Sequence, residues 1–154
     1  MDPELEKLFD EAIQLELNVS KLYILFHDTF REDANFWWTL VLEEKDHAAL
    51  INSIKTVGHF FGEYPRDIVP QRFEDLIEVN KNVINIIQEF EKNPDRKKAF
   101  LIAIELEKSA GELHCQTFLE TISRSSKYKI LQQLYKDDVD HAERIQRYME
   151  ENNI

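Results

Sequence analysis

The chain has 154 residues, the length of a single domain that can bury a substantial core, and its three glycines and four prolines leave little to interrupt a helix. Abundant Glu, Lys, Leu, Ile and Ala point to an all-α fold rather than a sheet. A net charge of -11 repels phosphate backbones and anionic lipid, which argues against nucleic-acid and membrane partners and favours cations, and the single Cys115 cannot form an internal disulfide or a cysteine-based metal site.

Asp2, Pro3 and Glu4 form a helix start, because a capping oxygen, a first-turn proline and early acidic groups all suit the exposed amides of a helix N-terminus. The acidic opening does not resemble a signal peptide, and no apolar run approaches the roughly 20 residues of a membrane span, so a cytoplasmic location is expected. Helix 1 is expected to run to about Phe30. The polar stretch RED at 31 to 33 then makes a short connection into helix 2, which carries FWWTLVLEEKDHAALINSIKTV to near Gly58.

Gly62, Pro65 and Pro70 punctuate the next segment, after which apolar residues at 73, 76, 83, 87 and 90 predict a helix inside a crossover. Asn93 and Pro94 signal a further helix start, opening helix 3 over about 95 to 122. SRSSK leads into helix 4, expected over about 127 to 151. The organisation is one domain of two helical hairpins, with four long helices and a short connecting one.

The two hairpins repeat one another. AIQLELNVSKLY, starting at Ala12, aligns without a gap on AIELEKSAGELH, starting at Ala103, and LEEKDHA at 42 to 48 aligns on KDDVDHA at 136 to 142. Helix 1 has an apolar seam of Phe9, Ala12, Glu16, Val19, Tyr23, Phe26 and Phe30, and helix 3 repeats it with Phe100, Ala103, Glu107, Ala110, His114, Thr117 and Thr121. Helix 2 gives Trp37, Leu40, Glu44, His47, Ile51 and Ile54, and helix 4 gives Leu131, Leu134, Asp138, His141, Ile145 and Tyr148. Carboxylates and imidazoles thus fall on core-facing seams.

Glu16 lies about as far before the first loop as Glu44 and His47 lie after it, and Glu107, Asp138 and His141 stand likewise about the second. Four buried carboxylates cannot all stay ionised without compensation, since desolvation and mutual repulsion both oppose the charge. Two divalent ions balance them, two imidazoles complete the donor set, and residues three apart on a helix can face one ion. A single Asp/Glu-x-x-His match carries little weight. Two matches, each level with a seam glutamate from another helix, point to a dinuclear metal site.

LELNVSKLY with Glu16 and Tyr23, LEEKDHAAL with Glu44 and His47, LEKSAGELH with Glu107, and KDDVDHAER with Asp138 and His141 together resemble the ferritin-like di-iron carboxylate proteins, most closely the rubrerythrin branch, over nearly the whole chain. The resemblance implies a four-helix bundle with a long crossover between helices 2 and 3. It implies two iron ions held by Glu16, Glu44, His47, Glu107, Asp138 and His141, with zinc or manganese as alternatives, and reduction of dioxygen or hydrogen peroxide. The chain departs from the pattern in three ways. It lacks the four-cysteine rubredoxin-like domain, so the electron donor is expected to be a separate molecule; it has Ala110 where rubrerythrins carry an extra glutamate; and Asp138 replaces a glutamate, shortening that reach by one methylene. The alternative function is a metal-holding or metal-sensing bundle without turnover.

Tyr23 and His114 lie two turns beyond the seam glutamates, where they either orient a carboxylate and relay protons or serve as core polar residues. Trp37 and Trp38 are read as core and interface packing, Gly111 as close helix packing or a small opening beside the metals, and His27, His59 and Cys115 as structural. Glu43, Asp46, Glu105, Glu112, Asp137 and Asp140 fall off the seams, as solvated acids do. Aromatics at Phe60, Phe61 and Tyr64 make a homodimer an expectation.

Overall fold

The computed structural model describes residues 3–61, 73–122 and 129–154, with the side chains of 6–58, 76–109 and 140–154. All regular structure among them is helical: α1 (Pro3–Thr29), a single 3-10 turn (Arg31–Asp33), α2 (Ala34–Phe61), α3 (Phe73–Lys92), α4 (Arg96–Ile122) and α5 (Lys129–Glu151). The chain divides into two compact units, Met1–Asn93 and Pro94–Ile154, so the crossover helix belongs with the first hairpin. No helix among the described residues is long and apolar enough to cross a membrane.

In the first unit α1 packs along both α2 and α3. The expected seam on α1 is buried from Phe9 through Phe26, and Leu15, Asn18, Ser20 and Leu22 are buried as well, so the helix is covered on more than one face. The chain reverses through the 3-10 turn, where Phe30 leaves helical geometry at φ -114°, ψ 89°, and the Asp33 amide donates to the Phe30 carbonyl at 3.1 Å. Asp33 is buried there, although the sequence pattern places it in a polar connection.

α3 lays Leu76, Val83 and Phe90 into the unit, with Phe90 edge-on to Phe26 at a centroid distance of 4.8 Å. Buried Asn80 lies on the same stripe. Its side-chain carbonyl accepts from the Asn18 amide at 2.9 Å, and its own amide donates to the Glu11 backbone carbonyl and carboxylate, both at 2.9 Å. These bonds fix the register of α3 on α1, because sliding either helix would strand buried amide groups. Asn80→Ala is expected to destabilise the protein by about 2 kcal/mol in urea unfolding. A loss within about 0.5 kcal/mol would mean that the network contributes nothing to register.

In the second unit the Asp95 carboxylate accepts the Lys98 amide at 2.6 Å, so Asp95, rather than Asn93, caps α4. α4 packs on α5. Phe100, near the start of α4, stacks on Tyr148, near the end of α5, at 5.6 Å and 13°, which marks the two helices as antiparallel. Phe100, Ala103, Leu106, His141 and Ile145 are buried. The side chains of His59, Phe60, Phe61, Ala110, Gly111, Glu112, His114, Cys115, Thr117, Thr121, Leu131, Leu134, Asp137 and Asp138, and Tyr64 as a whole, lie outside the described residues.

Candidate metal centre

The first hairpin carries its polar cluster inside an otherwise apolar seam. α1 supplies Glu16, and α2 supplies Glu44 and His47, one turn apart on the same face. All three are buried, with Ala12, Val19, Leu40, Ala48 and Ile51 buried on the same helices. One layer nearer the turn, Tyr23 and Trp37 face each other at 5.7 Å, and Trp37 also meets Phe26 at 5.0 Å. Between these layers the Ser20 hydroxyl donates to the Val41 carbonyl at 3.3 Å, tying α1 directly to the α2 backbone. A hydroxyl between Glu16 and Tyr23 was the sequence signal for this tie, and periodicity alone does not register it.

Nδ1 of His47 stands 3.7 Å from a Glu16 carboxylate oxygen and 3.6 Å from one of Glu44. These separations exceed ordinary hydrogen-bond lengths. Donors bound to one ion at about 2.0–2.2 Å lie roughly 3.0–3.5 Å from each other at octahedral or tetrahedral angles, only slightly closer than these atoms are. One ligand atom from each of the three residues falls within 4.8 Å of the other two. Two carboxylates and an imidazole suit ferrous iron, manganese or zinc, and lack the soft thiolate or thioether donors that select Cu(I). The residues therefore fit a divalent ion.

The electrostatics agree. Burial of the His47 ring opposes its charge, but the facing carboxylates of Glu16 and Glu44 overcome that effect and push its pKa up to about 11. In metal-free protein the imidazolium thus partly balances the two carboxylates, and a metal ion must displace its proton.

The second hairpin repeats part of this arrangement. Buried Glu107 of α4 and His141 of α5 approach at 3.4 Å, as Glu16 and His47 do at the matching positions. Backbone helix is described at residue 138, but the Asp138 side chain lies outside the described residues.

No protein-family model, curated protein or solved structure matches this chain. Its functional reading rests on its own side chains.

Of the six expected ligands, Glu16, Glu44 and His47 converge within the first unit, and Glu107 meets His141 within the second. Tyr23 is fully buried against Trp37 and Phe26. Trp37 is core, whereas Trp38 is half exposed, with the His27 ring at 5.3 Å and the Lys45 ammonium 5.7 Å from its centroid. His27 pairs with Asp28 at 2.8 Å on the surface. Asp46, Glu105 and Asp140 are exposed, as solvated acids should be.

Proposed function

We propose that the chain is a dinuclear-metal oxidoreductase of ferritin-like type that reduces dioxygen or hydrogen peroxide with electrons from a separate donor. Glu16, Glu44 and His47 of the first unit and Glu107, Asp138 and His141 of the second would hold the metal, iron being the ion that suits both the donors and the chemistry. The observation that carries this reading is the buried convergence of two carboxylates and one imidazole in one hairpin, with the carboxylate–imidazole pair repeated in the other.

A bound iron pair would supply the electrons and the Lewis acidity for reducing an oxygen–oxygen bond. The chain's residues would do the rest. Glu16 and Glu44 provide negative charge in a low-dielectric layer, which favours a more highly charged cation. His47 gives up its proton to become a neutral nitrogen donor. Val19, Leu40, Ala48 and Ile51 limit water around the carboxylates, and Ser20 and the Tyr23–Trp37 pair hold α1 and α2 at the spacing the donors need.

The test is metal content in protein purified without chelator. About two iron ions per chain, much reduced in a Glu44→Ala, His47→Ala double variant, are expected from six ligands of this type. Peroxide added to the ferrous-loaded protein should then be consumed with oxidation of the iron. Wild-type protein that cannot be loaded with Fe(II) would overturn the metal reading, and loaded protein inert to both oxidants would leave only metal holding.

A further inference from the structure

We propose that the outer face of α2, from Asn35 to Val57, is where a second copy of this chain docks, with Trp38 and Leu42 as its anchors. The inference is independent of the metal reading, since Glu44 and His47 lie on the buried face of the same helix.

Between Asn35 and Val57, α2 has eleven exposed positions, of which nine are uncharged, and the other two, Lys45 and Asp46, cancel. On α1, by contrast, five of the seven exposed positions between Glu6 and Thr29 are charged. A chain of net charge -11 thus keeps one long helix face almost free of charge. Trp38, Leu42 and Val57 are 44%, 47% and 55% exposed on it. Depletion of charge around an exposed aromatic is the composition of an interface core rather than of a solvated face.

The face is also ready to leave water. The Trp38 ring has the His27 ring at 5.3 Å and the Lys45 ammonium 5.7 Å from its centroid, and His27 is held in turn by Asp28. An anchor positioned before docking loses less side-chain entropy on binding. The hydroxyls of Thr39, Ser53 and Thr56 donate to the carbonyls of Asn35, Ala49 and Asn52, one turn back, at 3.1, 2.8 and 2.9 Å. Their donors are satisfied within the helix, so covering the face strands none of them.

Charge selects the occupant. A cationic partner is drawn to the acidic surfaces and gains nothing from this one. A second copy carries the same net charge and is least repelled where charge is missing. A two-fold pair also sets the same patch against itself, which suits a neutral apolar stripe. From Asn35 to Val57 the helix rises about 33 Å and is about 10 Å across, so the stripe offers on the order of 350 Å² per protomer, below the ~800 Å² of a standard stable interface. The pair is therefore reversible and concentration-dependent.

Sedimentation equilibrium of the full-length protein in chelator, over a range of concentrations, is the test. A monomer–dimer equilibrium is expected, and it should tighten about threefold or more as NaCl rises from about 0.02 to 0.3 M, because salt screens the repulsion between two acidic chains and an uncharged contact has little to lose. Trp38→Glu, Leu42→Glu protein should lose at least about 100-fold in dimer affinity, since pairing would bury unpaired charge in place of the anchors. Ile84→Glu alters an apolar residue of α3 that is similarly exposed, at 42%, and should pair as wild type does. In wild-type NMR spectra the Trp38 indole N–H should shift with protein concentration while that of buried Trp37 stays in place.

Circular dichroism checks that the helices persist in each variant, and the NMR series needs no variant. A chain that stays monomeric at every concentration and salt, a dimer that weakens as salt rises, or a dimer that leaves the Trp38 resonance unmoved would overturn the proposal. So would a folded Trp38→Glu, Leu42→Glu protein that still pairs, or loss of pairing in Ile84→Glu, which would assign the contact to α3.

Discussion

Metal-free protein is expected to lose stability as the pH rises from about 6.5 toward 11, and His47→Gln is expected to flatten that slope. The folded-state pKa of His47 is raised from 6.5 to about 11, against the opposing effect of burial, by the carboxylates of Glu16 and Glu44. A raised pKa means that the folded chain holds a proton the unfolded chain has released. The stabilisation is fully present below the unfolded value and is lost as pH climbs through the folded one. Between these limits the slope approaches about 1.4 kcal/mol per pH unit, amounting to several kcal/mol over the window.

Urea unfolding in the presence of chelator, at a series of pH values for wild type and His47→Gln, measures this contribution together with the response of the Glu16 and Glu44 carboxylates that face the ring. Parallel slopes would show that His47 is not held charged by its neighbours. The same proton opposes metal uptake. Below the raised pKa, affinity at the first hairpin should rise about tenfold per pH unit if one proton leaves for each ion bound.

The second large effect is expected from Trp37→Ala. Trp37 is fully buried and meets Tyr23 at 5.7 Å, Phe26 at 5.0 Å and Phe36 at 5.3 Å, and Phe26 passes the contact on to Phe90 of the crossover helix. Truncation removes the largest side chain of this layer and leaves a cavity that rigid helices cannot close. The expected loss is about 3–5 kcal/mol, which lowers the melting temperature by roughly 10 °C for a chain of this size. Trp37→Phe retains most of the ring contact and should cost much less. Thermal unfolding of the two metal-free variants measures the difference. A Trp37→Ala loss below about 1 kcal/mol would mean that the α1–α2 hairpin is anchored elsewhere. The indole lies two turns, about 10 Å, from Glu44 on the same helix, so a loosened layer should also weaken metal retention without removing a ligand.

The helices were legible in the sequence because their signals are local. Scarce glycine and proline, the Pro3 start and the RED break place α1 and α2 within a few residues of their observed limits. The helical spacing of Glu16, and of Glu44 with His47, also put those groups on buried seams, since a residue three or four positions from an apolar neighbour shares its face.

Several features depended on the tertiary structure. Asn80 occupies a gap in an apolar stripe, and only its bonds to Asn18 and Glu11 reveal that the gap is a register device. Leu15, Asn18 and Leu22 form a second buried stripe on α1, and a one-seam reading cannot anticipate it because it depends on α3 packing there. Asp33 looks like a solvated loop acid until the reversal of the chain buries it. The crossover helix joins the first hairpin for the same reason, since burial and partnership depend on what else reaches a face.

The sequence by itself determined helix placement, the internal repeat and the alignment of carboxylates with histidines, because each follows from short-range periodicity. Only the tertiary structure decided that Glu16, Glu44 and His47 converge within one unit at 3.6 to 3.7 Å from the imidazole nitrogen and raise its pKa. Distance and dielectric are properties of packed helices, and no pattern along a single chain contains them.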